Sequence, residues 1–234
     1  MSGQLPLALH WPAHQRFSSF VVGDNATALG LAEDAALQPE PTRVFIAGAL
    51  GSGRTHLLIA ACAAAGTADR TAQYLDLGTL RAPRAQAIRL FHGSQLLAID
   101  NVEAIAGDRE SEHALFDLYN RCHAEETSLL FSAQAAPAQL GILLPDLVSR
   151  LASCTQVGLQ ALDEAARRGL LQERAHARGI ELDDAVLDWL FNRRARDLLS
   201  LMDLLERIDR AALAAQRRVT VPFLRTLLAA DAES

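Results

Sequence analysis

The stretch "GALGSGRTHL", Gly48–Leu57, decides how this chain is read. It follows the phosphate-loop pattern G-x-x-x-x-G-K-[ST] at every fixed position but one: Arg54 stands where lysine is usual. An apolar, β-leaning run, "RVFIAG", leads into it, and a helical run, "RTHLLIAACAAA", leads out. That strand–loop–helix setting is the one in which such a loop holds phosphate. Gly48, Gly51 and Gly53 let backbone amides turn inward on an anion, and the helix N-terminus adds its partial positive charge. Thr55 becomes the magnesium ligand, and residue 54 the side chain that reaches the outer phosphates.

Arginine is not a neutral replacement. Its guanidinium is planar, forked and bulkier than an ammonium, so it cannot act as a point charge between β- and γ-phosphates. Two phosphates are held while transfer of a third is poorly supported. All 22 basic residues of the chain are arginine, however. A compositional drift away from lysine therefore explains Arg54 as readily as a selected change, and both readings stand.

Further along, "LLAIDN", Leu96–Asn101, is an apolar strand ending in an acid, the shape of a Walker B element, with Asp100 placed to hold magnesium. The next residue, often an acid that polarises the attacking water, is Asn101, and the nearest acid is Glu103. In "LLFSAQ", Ser132 and Gln134 are either polar sensors of the outer phosphate or solvated residues at a strand end. In "LLPDLVSRLAS", Arg150 is either a finger for a neighbouring subunit's nucleotide or half of a surface ion pair. Arg193, Arg194 and Arg196, in "NRRARDLLSLM", lie at the start of a long helix, where cations oppose the helix dipole, so a ligand-facing role gains weight. "QLPLAL", Gln4–Leu9, is either a linear peptide for a partner's groove or a loose tail.

The 234 residues suit one α/β domain with a small appendage. Apolar runs at 42–48, 72–77, 95–100 and 128–133, with a weaker one at 154–160, alternate with helical patterns at 54–66, 82–91, 110–125 and 144–152. This alternation predicts right-handed βαβ units and a parallel sheet covered on both faces. Before the sheet, Phe17, Phe20, Val21 and Val22 form an apolar anchor, Gly23 a turn, and Asp24 or Asn25 caps a helix. From about residue 162 the pattern is helix after helix. The expected domains are a flexible tail over 1–16, an α/β domain over 17–161 and a helical domain over 162–234.

A net charge of −6 and a pI near 5.6 argue against a protein whose main task is wrapping nucleic acid. The N-terminus lacks a basic start and a long apolar run, and no stretch has the length and apolarity of a membrane span. Cys62, Cys122 and Cys154 match no metal spacing and read as reduced, packed thiols, which points to the cytoplasm.

In their order these pieces resemble an AAA+ module: phosphate loop, Walker B, sensor strand, finger arginine and a helical lid. More narrowly, "QLPLAL", "FSSFVVGDN", "GALGSGRTHLL", "LLAIDNVEAIAGD", "FDLYNR", "LPDLVSRL" and "AQRRVTVPFLRTLL" are similar to the DnaA-related family, in its Hda branch of DnaA inactivators. The resemblance implies an AAA+ P-loop parallel sheet flanked by helices, with a C-terminal helical lid. It implies a regulator that binds ADP (ATP as the alternative) and Mg2+, docks on the DNA polymerase III sliding clamp (the beta subunit) and stimulates hydrolysis of ATP on DnaA, limiting re-initiation of replication.

Carried over onto this sequence, Gln4, Leu5, Leu7 and Leu9 are the clamp-binding peptide, with Ala8 where relatives tend to carry proline. Val22 and Gly23 lie by the adenine. Gly51, Ser52, Gly53, Arg54, Thr55 and His56 hold the diphosphate, Thr55 and Asp100 the metal, and Arg196 is the lid sensor. Arg150 is the finger inserted into the DnaA-bound ATP site. Gln134 replaces an acid found near that point in DnaA. Self-association is expected because AAA+ sites lie at subunit borders, and sequence-specific DNA binding is not. The competing reading is a self-sufficient AAA+ ATPase of the initiator or loader type, against which Asn101 and Arg54 both count.

Overall fold

The computed structural model describes residues 11–12, 15–81, 83–193, 198–215 and 219–230. It divides into two compact units, one ending at Ala161 and the other beginning at Leu162. The first opens with a 3-10 turn, Phe17–Ser19, and helix α1, Ala26–Leu37. Then follow β1 (Arg43–Gly48), α2 (Arg54–Thr67), β2 (Ala72–Asp76), α3 (Arg84–Arg89) and β3 (Leu96–Asp100). After these come α4 (Arg109–Ala124), β4 (Ser128–Ala133), α5 (Pro145–Ala152) and β5 (Thr155–Leu159).

The five strands form one parallel sheet in the order β2-β3-β4-β1-β5. β3 and β4 are buried along their whole length, which is why they read as unbroken apolar runs. β5 is an edge strand with Thr155, Gln156 and Gly158 exposed, and its sequence signal is correspondingly thin.

Side chains alternate between two cores with the period of a strand. Val44, Ile46, Leu96, Ala98 and Leu130 pack with α1 and α2. Phe45, Leu97, Ile99, Leu129 and Phe131 pack with α3, α4 and α5. The crossover from β1 carries the chain to the far edge at β2, and every later crossover steps back across the sheet. Such a reversal opens a crevice at the carboxyl ends of the strands, the usual place for a ligand in an open α/β sheet. The loop 49–53 leaves β1 at that end.

Asn25 departs from its expected role. It sits at the N-cap of α1, but its side chain makes no cap bond. Its Nδ2 donates to Gln160 O (3.1 Å) and its Oδ1 accepts from Gln160 N (2.7 Å). The amide thus fastens the start of α1 to the exit of β5, satisfying two backbone groups there.

The second unit contains α6 (Glu164–His176), α7 (Asp184–Arg193), α8 (Leu198–Ala215) and α9 (Val221–Ala230). Asp163 and Asp183 cap α6 and α7 by accepting from Ala166 N and Val186 N at 2.7 and 2.8 Å. Gly179, at φ 72°, ends the segment after α6 in the left-handed conformation, with Ile180 N returning to Ala175 O. Leu171, Leu187, Leu190, Leu201, Leu205 and Leu224 are among its core residues. Arg168 binds Asp188 (2.5 Å) and lies over the Phe191 ring. Among the described residues no helix is long and apolar enough to cross a membrane.

Candidate functional site

The loop after β1 is shaped by crowding. A Cβ on Gly48 would sit 2.5 Å from Ser52 Oγ and 2.9 Å from Leu159 Cβ, and one on Gly53 2.8 Å from the Phe20 ring. Gly53 also has φ 100°, open to glycine at no cost. The first bond of α2 is Leu57 N to Gly53 O. The amides of residues 54–56 therefore have no intrahelical acceptor, the arrangement that makes a helix N-terminus an anion site. Ser52 Oγ is buried and has no partner among the described residues. A cradle closed around glycines, the start of a helix and an orphaned buried hydroxyl fits a phosphate group.

At the end of β3, Asp100 is fully buried and accepts four hydrogen bonds. Thr55 Oγ1 donates to Oδ2 at 2.5 Å and Tyr74 OH to the same oxygen at 2.9 Å. Asn101 N donates to Oδ1 at 3.0 Å, and Ser132 Oγ also donates to Oδ1. A buried carboxylate is tolerable only with such saturation. Its placement against the Thr55 hydroxyl fits a hard cation that takes one protein hydroxyl, one carboxylate and phosphate or water oxygens. No cluster of three or more His, Cys, Asp or Glu forms among the described residues, and an ion held in this way needs none.

Tyr74 and Ser132 both belong to this shell. Burial, reinforced by the charge of Asp100, raises the Tyr74 phenol well above its ordinary value, so it stays a donor. Ser132 is fully buried, and its hydroxyl is committed to Asp100 rather than turned to solvent. Gln134 is exposed, and its backbone N–H donates to Glu103 Oε2 at 3.3 Å.

Arg54 is 5% exposed, and its NH1 lies 3.4 Å from Glu103 Oε1. Asn101 adopts the left-handed conformation (φ 57°, ψ 51°). It thereby sends its side chain sideways to Asp76 Oδ1 (2.8 Å), at the end of β2. The 3-10 turn Val102–Ile105 is pinned by its fully buried Val102 and Ile105, and it presents Glu103 to Arg54.

His56, expected among the phosphate holders, has its ring turned the other way. Its Nε2 lies 2.9 Å from Arg16 O, and the ring meets Phe20 edge-on. Val22 is half-buried and Gly23 exposed at φ 48°, on the short turn that leads to Asn25.

Arg150, in the last turn of α5, is exposed, its guanidinium 5.9 Å from the centroid of the Tyr119 ring. Among the described residues no carboxylate pairs with it. Tyr119 itself stacks on Phe131 in the core. The helix that carries Arg150 is tied by a carboxylate the sequence did not single out. Glu112, fully buried in α4, accepts from Leu143 N, Leu144 N and Gly107 N at 2.8–3.0 Å. Arg196 and Arg194, like Gln4, Leu5, Leu7 and Leu9, lie outside the described residues, as does the side chain of Arg193.

Tyr74, Asp76, Glu103 as partner of Arg54, and Glu112 are what sequence reasoning missed. Only for Tyr74 was a signal present. The run "AQYLDL" places an aromatic hydroxyl two residues before an acid on a strand, and β2 pairs with β3 in the register Asp76↔Asp100.

Residues 12–161 match the family model of the bacterial DnaA ATPase domain, and residues 163–228 match that of the Hda lid domain. Among solved structures, domain III of the Thermotoga maritima replication initiation protein DnaA aligns with a TM-score of 0.78 at 22% identity, over 93% of this chain and 97% of that one. AMPPCP-bound DnaA from Aquifex aeolicus aligns at 0.68 and 22% identity, over 84% of this chain, which spans 66% of that one. The Thermotoga maritima RuvB Holliday junction branch migration motor aligns at 0.67 and 16% identity, over 94% and 72%. At these identities the structural likeness shows the fold, while the family models cover most of the sequence. The chain belongs to the family of the bacterial DnaA ATPase domain and, with its Hda-type lid, is an Hda/DnaA-related AAA+ protein.

Proposed function

We propose that this protein holds ADP with Mg2+ as a structural ligand, binds the DNA polymerase III sliding clamp, and stimulates hydrolysis of ATP bound to DnaA. The amides of residues 54–56, with Gly51, Ser52 and Gly53, hold the diphosphate. Thr55 and Asp100 hold the metal, whose chemistry is to neutralise phosphate charge. Val22 and Gly23 flank the base, Arg196 is the nucleotide sensor of the lid, and Gln4, Leu5, Leu7 and Leu9 bind the clamp. Arg150 is the finger: exposed, held over Tyr119 and without an acidic partner among the described residues, it is available to another protein's phosphates.

The observation that carries this reading is the Arg54–Glu103 pair, together with Asn101 turned to Asp76. The cation that should reach the outer phosphate is engaged by a carboxylate, and the place of the water-polarising acid is taken by an amide facing elsewhere. Such a site keeps nucleotide and lacks the means to turn it over. The test is ATP turnover by the protein alone, beside its ADP affinity. We expect tight ADP binding with turnover barely above background, and fast turnover overturns the reading. The self-sufficient ATPase keeps one observation in its favour, the complete Thr55–Asp100–Ser132 shell, and the same assay decides it.

A further inference from the structure

Glu103 uses both carboxylate oxygens at the mouth of the site. Oε1 faces Arg54 NH1 at 3.4 Å, and Oε2 accepts the backbone N–H of Gln134 at 3.3 Å. It therefore joins the first residue of α2 to the residue just beyond β4, beside Asp100. Its position is not that of a wandering surface acid. The side chain is 22% exposed and Arg54 is 5% exposed, and the turn beneath Glu103 is fixed by buried Val102 and Ile105.

In a phosphate-loop site the cation at position 54 answers the charge of the outermost phosphate. Here that cation already has an anion against it. Resting on the proposed nucleotide role, we propose that Glu103 determines which nucleotide this site keeps: its carboxylate takes the place of a γ-phosphate's charge on Arg54, admitting a nucleoside diphosphate and penalising a triphosphate. A diphosphate leaves the pair intact. A triphosphate draws Arg54 away from Glu103 to answer its own outer charge, leaving a poorly solvated carboxylate unpaired.

The test measures dissociation constants of Mg-ADP and of Mg-AMPPCP, a non-hydrolysable triphosphate, for the parent, Glu103→Gln, Arg54→Met and the double variant, with thermal unfolding of each without nucleotide. Glu103→Gln keeps the acceptor for Gln134 N and removes the charge. We expect its triphosphate affinity to rise at least about tenfold relative to its ADP affinity, about 1.4 kcal/mol. In the Arg54→Met background the same change shifts that ratio less than about threefold, since the pair is already broken. An unchanged ratio in Glu103→Gln with ADP still bound overturns the inference alone. An equal shift in both backgrounds overturns the pairing. A parent that binds neither nucleotide removes the functional reading and this inference with it.

Discussion

Thr55 Oγ1 donates to Asp100 Oδ2 across 2.5 Å, joining the first turn of α2 to the end of β3. Those two residues lie far apart in sequence, and the contact brings the two proposed metal ligands together. Asp100→Asn removes the charge and unbalances the shell, since four donors, Thr55, Tyr74, Ser132 and Asn101 N, were arranged for a carboxylate. It is expected to abolish the Mg2+ dependence of ADP affinity and to lower stability by about 1–3 kcal/mol. Calorimetric titration with and without Mg2+, beside urea unfolding, checks both.

Tyr74→Phe keeps the ring and deletes one donor to Asp100. Because Ser132, Thr55 and Asn101 N remain, the expected cost is about 1 kcal/mol, with ADP still bound. A loss above about 3 kcal/mol in denaturant unfolding would mean that Tyr74 carries more of the sheet's edge than this one bond.

Alkaline pH is expected to destabilise the first unit. Burial pushes the Cys62 thiol up to about 12 and those of Cys122 and Cys154 to about 11, from an ordinary 9.0, and raises Tyr74 too. An acid whose folded pKa is raised keeps its proton in the native state while the unfolded chain loses it. The contribution is complete below about pH 9 and is lost as pH climbs toward the folded values. The melting temperature should fall by at least about 5 °C between about pH 8 and about pH 10. Cys62→Ala should flatten that slope.

Glu112→Ala leaves the amides of Gly107, Leu143 and Leu144 without their buried acceptor. The expected loss is about 2–4 kcal/mol. Hydrogen exchange should show it first in the segment leading into α5, ahead of the β3 and β4 core.

The parts of this molecule that could be read from residue order are those that repeat locally. β3 and β4 are buried on both faces, so their apolar runs announce them, and the glycines before α2 stand where a Cβ would crowd Leu159 and Phe20. What could not be read is what the sheet order brings together. Arg54 looked like a lone substitution because Glu103 lies 49 positions away. Asn25 has the composition of a cap, but the nearness of β5 gave it a better partner in Gln160. Glu112 sits in "GDRESEH", a string with the look of a solvated helix start, and only the returning segment at 143–144 shows it as a buried acceptor.

Hydrolysis on a partner through Arg150 is tested by single-turnover decay of radiolabelled ATP on DnaA with clamp-loaded DNA, with the parent or Arg150→Ala added. Decay should be faster with the parent, and at least about tenfold of that stimulation should be lost in Arg150→Ala, since a finger arginine carries a large share of transition-state charge. ADP and clamp binding should remain unchanged in the variant, because Arg150 is exposed and outside the phosphate loop. Equal decay with and without the protein, or undiminished stimulation by Arg150→Ala, would contradict it.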